Sequence, residues 1–427
     1  MTGDFMKINA LKGMKDILPA EQRLRDYVQG KILETYRASG FERISTPMLE
    51  DAENLDKSDG GDNLNLIFKV LKRGDKLKAA LEATPVEEKA LSDMGLRYDL
   101  TLPLSRFYSA NKDKLQFPFK VIQTDRVFRA ERPQKGRSRE FVQCDIDILG
   151  DSSPNAEVEL IDVTARALLN IGCTDERFKN FTININDRRI LRNMLENMGF
   201  APETLDSVCI TFDKLDKIGV DGVRAELTEK QLPEGAVKAL ADFCSAAAGN
   251  PEGFSIDDVV SKCADPSIAD DLKYIIATVE KISGGEYKIK YCPNLVRGQG
   301  YYTGVVFEIA STSFSGAVGG GGRYDNLIGK FIGQQVPAVG FSIGFERICS
   351  ILLDIGFSIP GAKEKCALLY DDSIDFTCVL SAAKKLRASY NVAILKKAKK
   401  PGPQYDMLEK QGYTKFATFK DNEIQIK

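Results

Sequence analysis

The chain has 427 residues, of which 43% are hydrophobic and 28% charged, so a packed core is within reach and disorder is not expected. Lys and Arg number 59 against 61 Asp and Glu, a net charge of -2; any nucleic-acid partner must therefore be met by a local basic patch. No His occurs, which excludes serine–histidine and cysteine–histidine catalysis, His-ligated zinc and an imidazole base.

At about 150 residues per domain, the length predicts about two to four domains. The nine Cys are scattered with no CxxC pair, and read as reduced thiols of a reducing compartment. No run approaches the roughly 20 apolar residues that span a bilayer. A soluble, cytoplasmic protein with no membrane partner is expected.

Residues 16–40 read as a helix. Pro19 suits its first turn, Leu24, Tyr27, Val28, Ile32 and Tyr36 share a face, and Gly40 can end it. A strand from Phe41 to Thr46 stops at Pro47. Residues 53–95 are charged and uneven, with no clear period. RYDLTLPLSRF (97–107) alternates like a strand, with Asp99 and Thr101 on one face and Tyr98, Leu100 and Leu102 on the other. Residues 120–130 and 140–150 read as an antiparallel pair joined by the polar loop 131–139. In the first, Gln123, Asp125 and Arg129 share a parity. In the second, Val142, Cys144, Ile146 and Ile148 oppose Phe141, Gln143, Asp145 and Asp147.

A helix opens at Ser153-Pro154, and FTININD (181–187) alternates as a half-buried strand. From about 190 to 284 the pattern turns helical (188–198, 235–248, 271–282), as an inserted domain does. Strands resume at 287–292 and 303–309. A glycine cluster at 316–322 leads to AVGFSIG (338–344) and a helix, FERICSILLDIG (345–356). After a linker near 357–363, strands and helices alternate in a small α/β domain that carries Lys396, Lys397, Lys399 and Lys400.

On strand 140–150 alone, an ordinary solvated outer face explains the polar side. Three segments with polar groups on one side together point to the floor of a pocket for a small zwitterion. An ammonium needs acceptors and a carboxylate needs donors. The loop holds Glu131, Arg132, Gln134, Lys135, Arg137 and Arg139, with Arg129 on its shoulder. Arginine forks suit phosphate, and a solvated hairpin tip accounts for the loop equally well. LVRGQGYYTG (295–304) has GxGxxxG spacing and runs into a β-rich stretch, so it is not a dinucleotide fingerprint. GGGGRYD is not a phosphate loop. These glycines rather let backbone approach a ligand, with Arg297, Tyr301 and Tyr302 alongside.

FRAERPQKGRSREFVQCDIDILG (128–150) resembles motif 2 of the histidyl-tRNA synthetases, class II aminoacyl-tRNA synthetases. LVRGQGYYTG resembles their histidine-specific signature. GGGGRYDNLIGKF (319–331) with AVGFSIGFERI (338–348) resembles their glycine loop and motif 3. LKGMKDILP (11–19) and FERISTPMLE (41–50) are similar to their N-terminal segment and motif 1. The resemblance covers residues 7–356 well and the remainder weakly. In this chain Gly300 stands where the family usually carries an acidic residue.

The resemblance implies an α+β fold: an antiparallel sheet flanked by helices, a helical insertion and a small C-terminal α/β domain. The implied domains are a catalytic core in two parts (1–190 and 285–356), the insertion (191–284) and a shortened anticodon-binding-like domain (363–427). A homodimer through motif 1 is implied. So is the reaction: the histidine carboxylate attacks the α-phosphorus of ATP, giving histidyl-adenylate and pyrophosphate, and the histidyl group passes to the 3′ end of tRNA(His). The nucleophile is already ionised, so no general base is needed. Charge neutralisation at phosphate is the requirement, with Mg²⁺.

By motif position, Arg129 and Arg297 are the implied catalytic residues. Asp99, Thr101, Gln143, Asp147, Tyr301 and Tyr302 are the implied histidine site, with Asp147 and Tyr302 at the imidazole. Glu131, Arg137, Phe141 and Arg347 join Arg129 at ATP. Gln134, Lys135 and Arg139 are implied tRNA contacts, and no protein-held metal is implied. Two other readings stay open: a histidine-binding regulatory paralogue of the kind that serves ATP phosphoribosyltransferase, and a non-catalytic tRNA sensor.

Overall fold

The computed structural model describes residues 8–57, 65–132, 138–248, 254–296, 300–420 and 423–426. The chain divides into two units, residues 1–357 and 358–427. The strands of the first unit are β1 (Glu42–Arg43), β2 (Leu49–Asp51), β3 (Lys69–Leu71), β4 (Ser92–Leu96), β5 (Phe119–Phe128), β6 (Glu140–Leu149), β7 (Phe181–Asp187), β8 (Lys288–Tyr291), β9 (Val305–Ser311), β10 (Phe314–Arg323) and β11 (Ala338–Ile343).

Eight of these form one sheet in the order β1-β5-β6-β11-β10-β9-β7-β8. Its interior pairs are antiparallel; only the end pairs β1/β5 and β7/β8 are parallel. The alternation on β6 is followed: Cys144, Ile146 and Ile148 are fully buried. They lie under a layer of three helices, Pro19–Ala38, Asn155–Leu169 and Phe345–Asp354. The opposite face of β6 carries the polar row.

Several expectations change. Residues 97–107 are not a strand. The chain bends at 98–100, and a helix runs over Thr101–Asn111. Pro103 lies in its first turn, where no intrahelical N–H bond is lost. It buries Leu102, Pro103, Leu104, Ser105 and Tyr108, with Leu104 and Tyr108 four apart on one face. The strand read at 41–46 shortens to β1. The described residues of 53–95 do have order: they contribute to three short helices and to β3 and β4, which join β2 in a small antiparallel sheet.

The helical region contains two further helices of useful length, Leu205–Phe212 and Leu215–Glu229. Gly219 breaks the second with φ 69°, which hides its period. The glycine cluster is strand, not loop. A Cβ on Gly321 would sit 1.9 Å from the Gly340 carbonyl oxygen, and one on Gly322 2.6 Å from that of Val305. The neighbouring strands press too close for any side chain there.

Among the described residues, three buried arginines brace this unit. Arg97 is fully buried and donates to the carbonyls of Thr46 and Arg126, each at 2.8 Å, with Asp125 2.8 Å away. Asp125 is therefore occupied by Arg97. Arg25 forks onto Glu346 at 2.6 Å. Arg323 forks onto Glu157 at 2.6 and 2.7 Å and reaches the Asp151 and Ser153 carbonyls. Burial, with a smaller push from Asp325, raises the Glu157 carboxyl; the guanidinium opposes that. Arg323→Ala leaves Glu157 buried without its cation. A loss of about 3–5 kcal/mol in denaturant unfolding is expected, partly recovered by adding Glu157→Gln.

The second unit has β12 (Lys365–Tyr370), β13 (Asn391–Lys396), β14 (Tyr413–Lys420) and β15 (Glu423–Ile426) in the order β13-β12-β14-β15. β12 is parallel to both neighbours, and β15 is antiparallel. Alternation sorts Cys366 and Leu368 to one apolar layer and Ala367 and Leu369 to the other. Lys396 of the basic run pairs with Asp372 at 2.6 Å. All nine cysteines are free. Among the described residues, no helix is long and apolar enough to cross a membrane.

Candidate active site

The polar row of β6 becomes a pocket floor because β5 and β11 flank it. Gln123 stands opposite Asp145 on one side, and Ser342 stands opposite it on the other. Asp147 stands opposite Gly340. Directly paired residues share a face, so Gln123, Gln143, Asp145, Asp147 and Ser342 line one surface. Gln143 Nε2 donates to Asp145 Oδ2 at 3.3 Å and to Ser342 Oγ at 3.4 Å.

Two walls complete it. From the bend before helix Thr101–Asn111, Asp99 accepts from the Tyr301 hydroxyl at 3.3 Å, and Thr101 Oγ1 is also 3.3 Å from that hydroxyl. From the end of β10, the Tyr324 hydroxyl donates to Asp147 Oδ1 at 2.6 Å. The Tyr301 ring sets its edge against Tyr302 and Tyr324, at 5.0 and 6.0 Å. Arg188, at the start of the helical region, donates to the Tyr302 carbonyl at 3.1 Å.

Three carboxyls are thus buried together: Asp99, Asp145 and Asp147 are 2%, 6% and 5% exposed. Desolvation pushes each above the usual carboxylate range. For Asp147 the rise is to about 7, with Asp99 adding repulsion and the Tyr324 hydroxyl opposing. For Asp145 the rise is large and Asp147 adds to it. For Asp99 the Arg129 guanidinium pulls the other way.

Gln123 Oε1, Gln143 Oε1 and Asp145 Oδ1 are buried acceptors with no protein donor. Such a surface selects a ligand that brings N–H groups and positive charge. Asp147 also predicts a pH effect on the empty protein. Its folded pKa of about 7 exceeds the unfolded value, so stability falls as pH rises from about 4 and levels off above about 7. Asp147→Asn should remove the part of this slope that Asp147 contributes, and unfolding midpoints of the two proteins across that range measure it.

A cation stands beside the carboxyls. Arg129 follows β5; its Nε donates to the Tyr98 carbonyl at 3.0 Å, and its guanidinium lies 5.1 Å from the centre of the Phe141 ring. Phe141 shares the polar face of β6. Arg347, in the first turn of helix Phe345–Asp354, donates to the Ala317 carbonyl and lies 5.4 Å from the Phe314 ring.

Arg139 is used internally: its Nε donates to the Glu131 carbonyl at 3.1 Å and its Nη1 to the Lys12 carbonyl at 3.3 Å. It ties the base of the 131–139 loop to the segment 11–19. Arg297, Gln134, Lys135 and Arg137 lie outside the described residues. Sequence reasoning missed Tyr324, Ser342 and the part played by Gln123 opposite Asp145. Tyr324 was within reach, as it directly follows the glycine strand.

A mainly antiparallel sheet with a polar floor, an arginine at its rim and helices behind it is the core of a class II aminoacyl-tRNA synthetase. The family model described as histidyl-tRNA synthetase matches residues 13–348. Histidine--tRNA ligase of Leifsonia xyli is 40% identical, over 95% of this chain and 94% of its own length. The probable histidine--tRNA ligase of Tropheryma whipplei is 37% identical, over 88% and 87%. In fold, the chain is similar to histidyl-tRNA synthetase of Nostoc, with TM-score 0.76, 24% identity and coverage of 99% and 97%. It is also similar to an ATP phosphoribosyltransferase regulatory subunit/histidyl-tRNA synthetase of Bacillus halodurans, with TM-score 0.74, 21% identity and coverage of 97% and 98%. The chain belongs to the histidyl-tRNA synthetase family.

Proposed function

We propose that the chain is a histidine–tRNA ligase, which joins L-histidine to the 3′ end of tRNA(His) through histidyl-adenylate made with ATP. The observation that carries this reading is the set of three buried carboxyls with unpartnered acceptors next to Arg129. Gln143, Asp99 and Thr101 take the ammonium. Asp147, steadied by Tyr324, accepts from the imidazole N–H, with Tyr301 and Tyr302 as walls. An analogue without that N–H leaves a buried acceptor unpaired and is rejected.

Arg129 stands between the amino-acid floor and the Phe141 ring. There it neutralises the α-phosphate as the histidine carboxylate attacks, while the adenine stacks on Phe141 and its amino group meets Glu131. Arg347 gives up the Ala317 carbonyl for the outer phosphates. Arg297 and Arg137 take the second catalytic and further phosphate positions by motif. Gln134 and Lys135 meet tRNA, and Arg139 supports their loop.

Among the described residues no cluster of carboxylates or thiols could hold a metal. Mg²⁺ is assigned to ATP as its counter-ion. The catalytic core is taken as 1–190 and 285–356, the helical insertion as 191–284, and the anticodon-binding-like domain as 363–427. Dimerisation through motif 1 and a cytoplasmic location complete the reading; the free cysteines suit a reducing compartment.

Histidine-dependent exchange of pyrophosphate into ATP tests it, followed by charging of a tRNA(His) transcript. Exchange should require histidine. Histidine binding without exchange would transfer the chain to the regulatory reading.

A further inference from the structure

Residues 300–304 carry the tyrosine wall of the proposed histidine pocket, and 293–296 lead into it. Both stretches are held from one place, the junction of β7 with helix Arg188–Asn197, where Asn186, Asp187 and Arg188 are consecutive.

Direct strand pairing carries the pocket floor to that junction. Asp147 stands opposite Gly340, Gly340 opposite Gly322, Gly322 opposite Val306 and Val306 opposite Asn186. Paired residues share a face, so Asn186 lies on the same surface as Asp147, about 19 Å along it at roughly 4.8 Å per strand. The two glycines leave the middle of this row bare. The Tyr302 ring lies over it: its Cδ1 is 2.9 Å from where a Cβ on Gly322 would stand.

Asn186 is fully buried. Its Nδ2 donates to the Pro293 carbonyl at 2.8 Å and to the Leu295 carbonyl at 3.0 Å. The amide cannot be turned over. Both partners are carbonyl oxygens, which only accept, so a reversed amide would set three acceptors together and lose both bonds. Nδ2 serves the two carbonyls although Asn186 Oδ1 is left buried, with no donor among the described residues. A buried amide with both N–H groups on one turn, 107 and 109 residues away in sequence, fixes that turn.

Arg188 takes the other flank. Its backbone N–H donates to the Gly304 carbonyl and its Nη1 to the Tyr302 carbonyl, each at 3.1 Å. It thus holds the residue whose ring lies on Gly322. The helical insertion has the weaker claim on the same side chain: Arg188 Nη2 is 3.7 Å from Asp206 Oδ1, which Arg192 holds at 2.5 Å.

We propose that Asn186 and Arg188 are positioning residues of the amino-acid site: Asn186 pins 293–296, Arg188 pins 302–304, and together they fix where Tyr301 and Tyr302 stand against Asp99 and Asp147. Each acts through the backbone it holds. The ligand named here rests on the histidine-ligase reading; the anchoring does not. Phe141 on β6 and Arg129 after β5, assigned to ATP, stand on strands away from the Gly322 end of the row, so histidine and ATP should respond differently.

The first test needs no ligand. Amide hydrogen exchange of the full chain should quicken about tenfold, the scale of a lost hydrogen bond, at 293–296 in Asn186→Ala and at 300–304 in Arg188→Met. Met keeps the apolar stem and removes the donors. Peptides of β5 and β6 should not change. Unaltered hydrogen exchange at either flank would overturn the proposal.

The second test is ATP–pyrophosphate exchange. Arg188→Met should raise KM for histidine about tenfold, the scale of one lost hydrogen bond from a charged donor, with KM for ATP unmoved. Asp206→Ala removes the insertion's hold on Arg188 but leaves the bond to Tyr302, and should keep histidine KM within about twofold of wild type. Equal rises in these two variants would mean that Arg188 serves the insertion. A matching rise in both KM values would mean a general loss of structure. Either result overturns the proposal. Asn186→Asp keeps the shape but puts an oxygen where Nδ2 met two carbonyls, and should raise histidine KM at least as far as Asn186→Ala; wild-type KM in the Asp variant would also overturn it. If the Asn186 variants do not fold, Arg188→Met decides alone. If wild type shows no histidine-dependent pyrophosphate exchange, the ligase reading fails and the hydrogen-exchange result still decides the anchoring.

Discussion

Arg129→Ala is expected to lower histidine-dependent ATP–pyrophosphate exchange by about 10²–10³-fold, the usual cost of removing one preorganised donor from a developing anion. The guanidinium sits at the end of β5, fixed at Nε by the Tyr98 carbonyl and by the Phe141 ring beneath it. In the proposed reaction its remaining N–H groups would cost no reorganisation as negative charge grows on the α-phosphate. Most of the loss should therefore fall on kcat, since the interaction strengthens in the transition state.

A smaller part should fall on histidine KM. Arg129 offsets the burial of Asp99, so its removal pushes that carboxyl further up and weakens its hold on an ammonium. Arg129→Lys should recover histidine KM better than kcat, because a point charge replaces the field but not the fork. Equal recovery of both would show that Arg129 serves the amino acid alone. An unchanged exchange rate for Arg129→Ala would remove the arginine from the chemistry.

The floor is legible in the sequence at β6 because alternation survives burial. Cys144, Ile146 and Ile148 are covered by helices, and Gln143, Asp145 and Asp147 line the other face. Alternation reports sides, however, not what covers them. That the polar side is closed over depends on Tyr301 and Tyr324, and Tyr324 lies 177 residues from the aspartate it holds. The same signal misleads at 97–107. Tyr98 to Leu102 alternate, yet the chain bends there and burial is nearly continuous, with Asp99 as buried as its apolar neighbours. Asp125 shares its parity with Gln123, and the buried Arg97 claims it. The glycine cluster reads by composition as a place for backbone to approach a ligand. Its cause is steric and comes from Val305 and Gly340 on neighbouring strands, which composition cannot show.

Gly340 and Gly321 turn that steric argument into a second large effect. On β11, Gly340 faces Asp147, and a Cβ there would fall 1.9 Å from Asp147 Oδ1 and 2.9 Å from its Cγ. The obstacle is a side chain, so the protein can still fold if Asp147 rotates away. Rotation breaks the 2.6 Å bond to Tyr324 and takes away the acceptor proposed for the imidazole. Gly340→Ala should thus fold and raise histidine KM about 10²-fold, the combined scale of a lost charged hydrogen bond and an unpaired buried carboxyl, with ATP KM little changed.

Gly321→Ala meets backbone instead: the Gly340 carbonyl oxygen at 1.9 Å and the Phe341 Cα at 2.8 Å. No rotation relieves that, so β10 and β11 must separate. The expected result is a loss of about 1–3 kcal/mol or more in unfolding, with histidine and ATP affected together. Kinetics and unfolding of the two variants side by side distinguish a damaged pocket from a damaged sheet. If Gly340→Ala kept its histidine KM, Asp147 would not be the group that reads the ring.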